Sequence, residues 1–451
     1  MSDGEGGAVF ARFIVGDVFD GLAGIEDGTV DLVVTSPPFL ALRSYLPADH
    51  PDKGKEIGSE ATPAEFIDTL LRVTAELRRV LAPHGSICVE LGDTYAGSGG
   101  AGGDYDEDGW RSKQEKYLGS GRMRSGAKDA PQDDDGGYQA DQRVRYEGYR
   151  AGIRNMNNKI QGGGPGWPLA KSKALIPELY RIALAYGINP LTGEKSPAGR
   201  WRIRNVVTWC RPNPPVGALG DKWRPATSDI VVACTSDKRY WDDIATRKEP
   251  AREGFTTMDR RMRTERNHDD GYEPERVPIP SSAPLLDWWE LAPGGYPGSH
   301  YAVYPPALVE PLIKAMAPPK VCRTCGEPSR RISDVTEEYA AVMGDSIRDA
   351  NFNGRSVSRE RNKIQRKGIT ARQSVTTGWT DCGHNNWRPA VILDPFVGSG
   401  TTLAVATGHG HDAIGIDLDE RNYDLALERV GPLVLGPPEK PQPKEKGKAQ
   451  Q

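Results

Sequence analysis

Two polar turns at opposite ends of the 451-residue chain carry residue types that could do chemistry together. The first reads VVTSPPFL from Val33 to Leu40, and the second reads ILDPFVGSGTT from Ile392 to Thr402. Each turn follows a short run of apolar, mostly β-branched residues, which is typical of a buried strand. We therefore expect both turns to lie at strand ends, where their polar side chains can reach a ligand.

The later turn indicates a nucleoside-containing ligand. Small residues ahead of a helix start near Thr401 let the backbone approach a ligand closely, and the helix adds oriented N–H groups. The next predicted strand ends at Asp417, an acid placed to accept both hydroxyls of a ribose. The turn lacks the G-x-G-x-x-G fingerprint of dinucleotide folds, and Asp394 before it suits an ammonium-bearing ligand better than a pyrophosphate. A tight turn without a ligand is the alternative.

The elements around these turns predict an α/β fold with an open, mostly parallel, doubly wound sheet. Strand patterns alternate with helical patterns, and residues 62–85 predict a helix with Thr62 as its cap, Pro63 at its first position and Glu65 completing a capping box. Three stretches do not fit the alternation and are expected to be insertions or mobile loops: residues 95–168, 251–284 and 332–377. The low-complexity tail 435–451 is expected to be disordered.

Charge and hydropathy limit the classes of function. The formal net charge of −4 excludes a uniformly basic nucleic-acid-binding chain, yet basic residues crowd residues 199–205, 256–268 and 355–372. Three such runs are consistent with a phosphate-facing surface, and a set of solvated loops is the alternative. No run approaches the ~20 apolar residues that cross a membrane, and the first residues have no signal pattern, so we expect a cytoplasmic protein without a membrane partner.

Four residues have the types and spacing of a zinc site. Cys322 and Cys325 form a C-x-x-C pair, and Cys382 and His384 follow as C-x-H. Zinc accepts thiolates and imidazoles in tetrahedral structural sites, and such a pair in a reducing compartment favours a metal over a disulfide. A knuckle of this kind would hold the insertion 332–377 against the core. Two incidental thiol pairs in a loop are the alternative.

The two turns together resemble the motifs of the DNA methyltransferases that methylate exocyclic amines. The stretch Asp394–Thr402 is similar to their S-adenosylmethionine-binding motif, and Thr35–Phe39 is similar to their catalytic motif, usually written Ser/Asn/Asp-Pro-Pro-aromatic. In the family's β arrangement the catalytic motif comes first, the recognition region follows and the cofactor motif comes last, as here. The resemblance implies a circularly permuted, Rossmann-like methyltransferase fold that binds S-adenosylmethionine and double-stranded DNA.

The resemblance also assigns a chemistry to the first turn. The lone pair of an exocyclic base amine is delocalised into the ring, so methyl transfer needs it localised and aimed at the donor methyl. The hydroxyl of Ser36 and the carbonyl of Pro37 could accept the two amine N–H bonds, while the prolines fix the backbone. Phe39 could stack on a base that is swung out of the duplex. A proline-ended strand with a buried phenylalanine is the alternative.

We assign residues to three sites on this basis. The catalytic residues are expected to be Ser36, Pro37, Pro38 and Phe39. The cofactor-binding residues are expected to be Asp17, Thr35, Asp394, Pro395, Phe396, Gly398, Ser399, Gly400, Thr401, Thr402 and Asp417. Residues 299–310 are similar to the family segment that lines the methionine end. DNA contacts are expected from Arg211, Lys222 and Arg224.

The expected function is methyl transfer to N4 of cytosine in a specific duplex sequence, by base flipping and direct in-line transfer. Serine rather than aspartate at position 36 favours cytosine N4, and adenine N6 is the alternative. Two further alternatives are a catalytically silent DNA-binding module on the same fold and a methyltransferase that acts on RNA or on a protein amide. A cognate restriction endonuclease is a candidate partner, and the sequence implies no oligomeric state.

The predicted elements divide the chain into eight segments. The core is expected in residues 8–95 (catalytic half), 169–245 (continuation) and 387–434 (cofactor half), with 299–320 lining the cofactor site. The other segments are a mobile glycine-rich insertion (96–168), a target-recognition region (246–298), the zinc knuckle with its basic insertion (321–386) and the tail (435–451).

Overall fold

The chain folds into two compact units. The core unit comprises residues 8–239, 288–309 and 391–451, and the cysteine unit comprises residues 1–7, 240–287 and 310–390. The computed structural model describes residues 9–41, 45–46, 49–96, 165–214, 222–247, 255–258, 275–278, 284–293, 304–335 and 372–441. Most of the predicted insertion 96–168 and most of the predicted target-recognition region lie outside the described residues.

Helices and strands alternate along the core unit, whereas short strands dominate the cysteine unit. The helices are α1 (Val18–Ala23), α2 (Pro63–Val80), α3 (Ile176–Tyr186), α4 (Pro306–Met316), α5 (Thr401–Gly408) and α6 (Arg421–Val430). The strands are β1 (Ala11–Val15), β2 (Val30–Thr35), β3 (Leu81–Leu91), β4 (Arg202–Cys210), β5 (Thr227–Cys234), β6 (Phe255–Met258), β7 (Glu275–Pro278), β8 (Trp288–Glu290), β9 (Val321–Cys322), β10 (Arg331–Val335), β11 (Arg372–Trp379), β12 (Trp387–Arg388), β13 (Val391–Asp394) and β14 (Asp412–Asp417).

An eight-stranded sheet forms the centre of the core unit, in the order β1-β14-β13-β2-β3-β5-β4-β8. Neighbouring strands run parallel except for β5, which is antiparallel to both β3 and β4. The chain passes from β2 to β3 on one side and from β13 to β14 on the other, so the direction of winding reverses between β13 and β2. Sheets of this kind bind ligands beyond the carboxyl ends of their strands at such a point. The predicted mostly parallel, doubly wound sheet is confirmed.

Helix α2 follows its local sequence signals closely. The Thr62 hydroxyl accepts from the Glu65 N–H at 3.3 Å, and the Glu65 carboxylate accepts from the Thr62 N–H at 3.0 Å, which is the predicted capping box. The apolar stripe from Phe66 to Leu77 is buried in the main core cluster. The predicted helix over residues 62–85 is wrong for residues 81–85. The helix ends at Val80, and Leu81, the next residue of that stripe in the sequence, begins β3.

The first strand of the core unit pairs with the end of the described chain. Ala11 donates its N–H to the Val434 carbonyl at 2.9 Å, and Val15 donates to the Glu439 carbonyl at 2.8 Å. Residues 434–439 therefore run parallel to β1. The expected disorder of the tail is wrong for residues 435–441, because the backbone groups at the open edge of β1 give this segment partners.

The cysteine unit contains three antiparallel strand pairs among its described residues: β6–β7, β9–β12 and β10–β11. The two ends of the predicted insertion 332–377 thus pair as strands β10 and β11. By contrast, β8 lies within the predicted target-recognition region and extends the core sheet beside β4. Across the described ranges, no helix combines the length and the apolar character needed to cross a bilayer.

Candidate active site

A buried carboxylate joins the two sequence motifs. Asp394 ends β13 and is only 1% exposed. Its Oδ1 accepts from the Thr35 hydroxyl at the end of β2, at 2.6 Å, which links residues 359 positions apart. Its Oδ2 accepts from the hydroxyls of Thr402 at 2.6 Å and Tyr304 at 2.8 Å. This cluster of one carboxylate and three hydroxyls holds the catalytic turn (Thr35–Phe39) against the glycine turn (Asp394–Thr402).

The protonation of this cluster follows from its burial. Desolvation raises the pKa of Asp394, and the hydrogen bonds from Thr35, Thr402 and Tyr304 oppose that rise because they favour the carboxylate. Burial and the neighbouring carboxylate raise the pKa of Tyr304 well above its usual value, so its phenol remains a donor. Both oxygens of Asp394 are engaged inside the protein, below the cleft. A direct contact with a cofactor ammonium therefore stays a prediction.

A cleft of about 1000 Å³, open to solvent, lies beyond the carboxyl ends of the central strands. Both motifs contribute to its wall, as does the start of the chain after β1. The predicted site residues that line it are Asp17, Ser36, Pro38, Pro395, Phe396, Gly398, Ser399, Thr401 and Asp417. Tyr304, from the segment predicted to line the cofactor site, also lines this cleft. The structure thus brings the two ends of the sequence to one cavity.

Other predicted site residues lie behind the cleft wall. Thr35, Asp394 and Thr402 form the buried cluster, and Pro37 is buried. The Phe39 ring packs on Gly92, where an added Cβ would come within 2.5 Å of the ring, so its stacking on a base stays a prediction.

Gly400 serves the packing of the glycine turn. Its φ is +79°, and an added Cβ would lie 2.8 Å from the Ala426 Cβ, so only glycine lets α5 begin this close to α6.

Two acids at strand ends line the cleft. Asp17 caps α1, because its Oδ1 accepts from the Phe19 N–H at 2.9 Å, which is a structural role for this residue. Asp417 accepts from the Gly398 N–H at 2.8 Å and from the Asn422 amide at 2.9 Å. Burial raises the pKa of Asp417 to about 6, so its carboxylate is ionised at neutral pH. Carboxylate oxygens have further lone pairs, so Asp17 and Asp417 both retain the capacity to accept from ligand hydroxyls.

Sequence reasoning missed a second buried carboxylate, Glu90, which lies on β3. The Ser36 hydroxyl donates to Glu90 Oε2 at 2.6 Å. Glu90 is 6% exposed, and its burial raises its pKa, while hydrogen bonds from Ser228 and Ser36 lower it. The available signal was a single acid within the otherwise apolar strand pattern ICVELG.

Arg211 belongs to the same network. Its guanidinium donates to the Ser228 hydroxyl at 3.1 Å and lies 4.7 Å from the centre of the Trp209 ring. These contacts hold the cation within the core unit, where its charge also acts on Glu90. The phosphate contact expected of Arg211 stays a prediction.

The other predicted DNA contacts precede β5. Lys222 Nζ lies 3.5 Å from the centre of the Tyr95 ring, and Arg224 is exposed. Between them Trp223 is 95% exposed. Because β5 is antiparallel to β3, this segment lies at the same edge of the sheet as the carboxyl end of β3.

The four predicted zinc ligands converge in the cysteine unit. One ligand atom from each of Cys322, Cys325, Cys382 and His384 lies within 4.8 Å of the other three. The structure therefore brings together two pairs that are far apart in sequence.

Comparison with known proteins identifies the family of the chain. The model of the N6/N4 methyltransferase family, described as DNA methylase, matches residues 30–323 and 388–428, which is more than half of the chain. The chain belongs to this family. The matched residues include both motifs that line the cleft. The chain is therefore an S-adenosylmethionine-dependent methyltransferase of the class that methylates exocyclic amines. Its motifs occur in the permuted order that the sequence predicts.

Individual relatives are distant but span most of the chain. The type II methyltransferase M.SmaI of Serratia marcescens is 23% identical over 421 residues, which cover 93% of this chain and 90% of that protein. M.XycI of Xanthomonas campestris pv. cyanopsidis is 23% identical over 354 residues, covering 75% and 88%. Among solved structures, the cytosine-N4-specific PvuII DNA methyltransferase has a TM-score of 0.40 and 12% identity, covering 94% of this chain and 86% of that chain.

The buried cluster around Asp394 predicts a measurable cost for losing one donor. Thr402→Val keeps the side-chain shape and leaves the carboxylate with one partner fewer, so we expect unfolding to need about 1–3 kcal/mol less free energy. Urea denaturation of the purified protein measures this. Thr407→Val on the same helix is the control, because that hydroxyl bonds only to carbonyls of its own helix. Equal stability of the two variants would contradict the role of the cluster.

Proposed function

We propose that this methyltransferase transfers a methyl group to N4 of cytosine in a specific sequence of duplex DNA. The observation that carries the proposal is the position of Ser36, which lines the same cleft as the glycine turn while donating to buried Glu90. A target amine has to meet the methyl donor within one cavity, because direct transfer needs the two reacting atoms about 3–3.5 Å apart.

The residues that line the cleft have the chemistry to hold the methyl donor. Asp417 would accept from the ribose hydroxyls, and Phe396 would pack beside the sulfonium end. When bound, S-adenosylmethionine supplies an electrophilic methyl group on a positively charged sulfur. The chain's own residues then have to position the amine and accept its charge.

Ser36 and Glu90 are arranged to prepare the amine. Since the Ser36 hydroxyl donates its proton to Glu90, the lone pairs of Oγ remain available to accept an N–H bond of the target amine. The Pro37 carbonyl would accept the other N–H bond. The N4 lone pair forms the new N–C bond as the bond between sulfur and methyl breaks. The amine proton that is then lost can pass through Ser36 to Glu90, whose pKa is raised by burial.

DNA would approach from the edge that carries the catalytic turn. Lys222, Trp223 and Arg224 combine two cations with an exposed indole at this edge, and such a combination suits phosphates and unstacked bases. The relatives named above are type II methyltransferases, so we further propose that the enzyme protects DNA from a cognate restriction endonuclease.

Nucleoside analysis tests the proposed product. The purified enzyme is incubated with unmethylated duplex DNA and labelled S-adenosylmethionine, and the digested nucleosides are separated by mass. We expect the label in N4-methylcytosine. Label in N6-methyladenine would replace the proposed base by the alternative one, and label in 5-methylcytosine, in RNA alone or in no nucleic acid would overturn the proposal.

Glu90→Gln tests the role of the second carboxylate. The amide can still accept from Ser36 but has no titratable group, so we expect kcat to fall by roughly 100-fold and the acid limb of its pH profile to disappear. In the wild type that limb should lie above the usual range of a glutamate, because burial raises the pKa of Glu90 and only the ionised form accepts a proton. Glu194→Gln, on the exposed loop before β4, is the control. A pH profile of kcat that is unchanged in Glu90→Gln would rule out proton transfer through Glu90.

Salt titration tests the DNA surface. We expect the double variant Lys222→Ala, Arg224→Ala to bind duplex DNA more weakly and to reduce the slope of log K against log salt by roughly 2, at about 0.9 per phosphate contact. Binding of S-adenosylmethionine should not change. Lys195→Ala, on the exposed loop before β4, is the control. If the double variant and the control both show the wild-type slope of log K against log salt, Lys222 and Arg224 do not contact the DNA backbone.

A further inference from the structure

Three thiols and an imidazole meet in the cysteine unit at distances that suit one metal ion. The Cys322 sulfur and the His384 Nδ1 are 3.6 Å apart. A tetrahedral zinc ion with Zn–S near 2.3 Å and Zn–N near 2.0 Å would place such a pair about 3.5 Å apart. All four ligand atoms, including those of Cys325 and Cys382, lie within 4.8 Å of one another. The donors therefore surround a common centre of the right size.

The backbone fixes this arrangement independently of the side chains. Gly326 donates its N–H to the Cys322 carbonyl at 2.9 Å, which closes the C-x-x-C turn. Arg323 donates its N–H to the Asn386 carbonyl at 2.8 Å, which ties that turn to the segment carrying the other two ligands. Cys322 itself pairs with Trp387 in the β9–β12 ladder. The convergence of the four ligands thus rests on main-chain bonds between two sequence-distant segments.

We propose that Cys322, Cys325, Cys382 and His384 bind one zinc ion in a closed structural site. Three thiolates and one imidazole are soft and borderline donors, which favour zinc over magnesium or calcium. Four protein ligands complete the tetrahedron and leave no position for water or substrate, so the ion does not take part in methyl transfer.

A disulfide explains the cluster less well. It would use two of the three sulfurs and leave the third thiol and the imidazole gathered around the same centre without a role. None of the described cysteines forms a disulfide in this structure.

The zinc ion would cross-link the chain on either side of the antiparallel pair β10–β11. Strand β10 begins shortly after Cys325, and β11 ends shortly before Cys382. Protein bonds already join the two ends, since Thr380 donates its N–H to the Arg330 carbonyl at 2.9 Å and accepts from the Ser329 hydroxyl at 2.8 Å. Metal ligation on both sides would cross-link the two ends and restrict the unfolded chain, so binding stabilises this unit.

Metal analysis of the full-length protein tests the site. After expression with added zinc and purification under reducing conditions, we expect about one zinc per chain by mass spectrometry, as in other four-ligand sites. Replacement by Co²⁺ should give the intense visible absorption of tetrahedral cobalt thiolate. Cys382→Ser should lose most of the metal, whereas Cys210→Ser, a cysteine of β4, should retain it.

His384→Cys separates ligation from general misfolding. A fourth thiolate can replace the imidazole, so this variant should keep the zinc and shift the cobalt spectrum, while His384→Ala should release the metal more readily to a chelator. Zinc that persists in the Cys382→Ser, His384→Ala double variant would overturn the proposal. A wild-type protein that binds neither Zn²⁺ nor Co²⁺, or whose cysteines are found paired by alkylation and mass spectrometry, would overturn it as well.

Discussion

The buried charge of Asp394 is the constraint on which the site depends. A carboxylate removed from water is tolerable only if donors replace its hydration. Here the donors come from β2, from α5 and from Tyr304 ahead of α4, so they are complete only when both ends of the sequence have assembled. The same bonds that satisfy this charge set the catalytic turn beside the glycine turn. Folding and construction of the cleft are therefore one event.

Two buried carboxylates of this enzyme share a raised pKa but differ in surroundings. Asp394 accepts from the Thr35, Thr402 and Tyr304 hydroxyls beneath the cleft, and these hydrogen bonds hold it in place. Glu90 instead reaches the cleft through the Ser36 hydroxyl, which lies at the cavity wall. A difference in hydrogen-bond partners thus makes one acid a fixed part of the framework and leaves the other able to respond to chemistry at the target amine.

Local sequence patterns predicted much of the fold, including the capping box at Thr62 and the alternation of elements. The resemblance to the methyltransferase family implied that the two motifs meet. Local patterns could not predict the hydrogen bond between Glu90 and Ser36, because this contact depends on β3 pairing beside β2. They could not predict the contact of Arg211 with Ser228 for a similar reason, since Ser228 lies on a neighbouring strand. The low-complexity composition of residues 435–441 indicates that their side chains bury little apolar surface. It does not predict the backbone hydrogen bonds that this segment forms with β1.

The pairing of residues 434–439 with β1 bears on how a permuted motif order can arise. Ala11 and Val434 are joined by a main-chain hydrogen bond, so a short peptide link between them would close the core unit into a ring. New chain ends could then be opened at an exposed loop, such as the one before β4, with little loss of sheet pairing. Cutting such a ring on one side or the other would place either motif first. A circular permutation of the coding sequence can therefore exchange the order of the two motifs while the cleft stays intact.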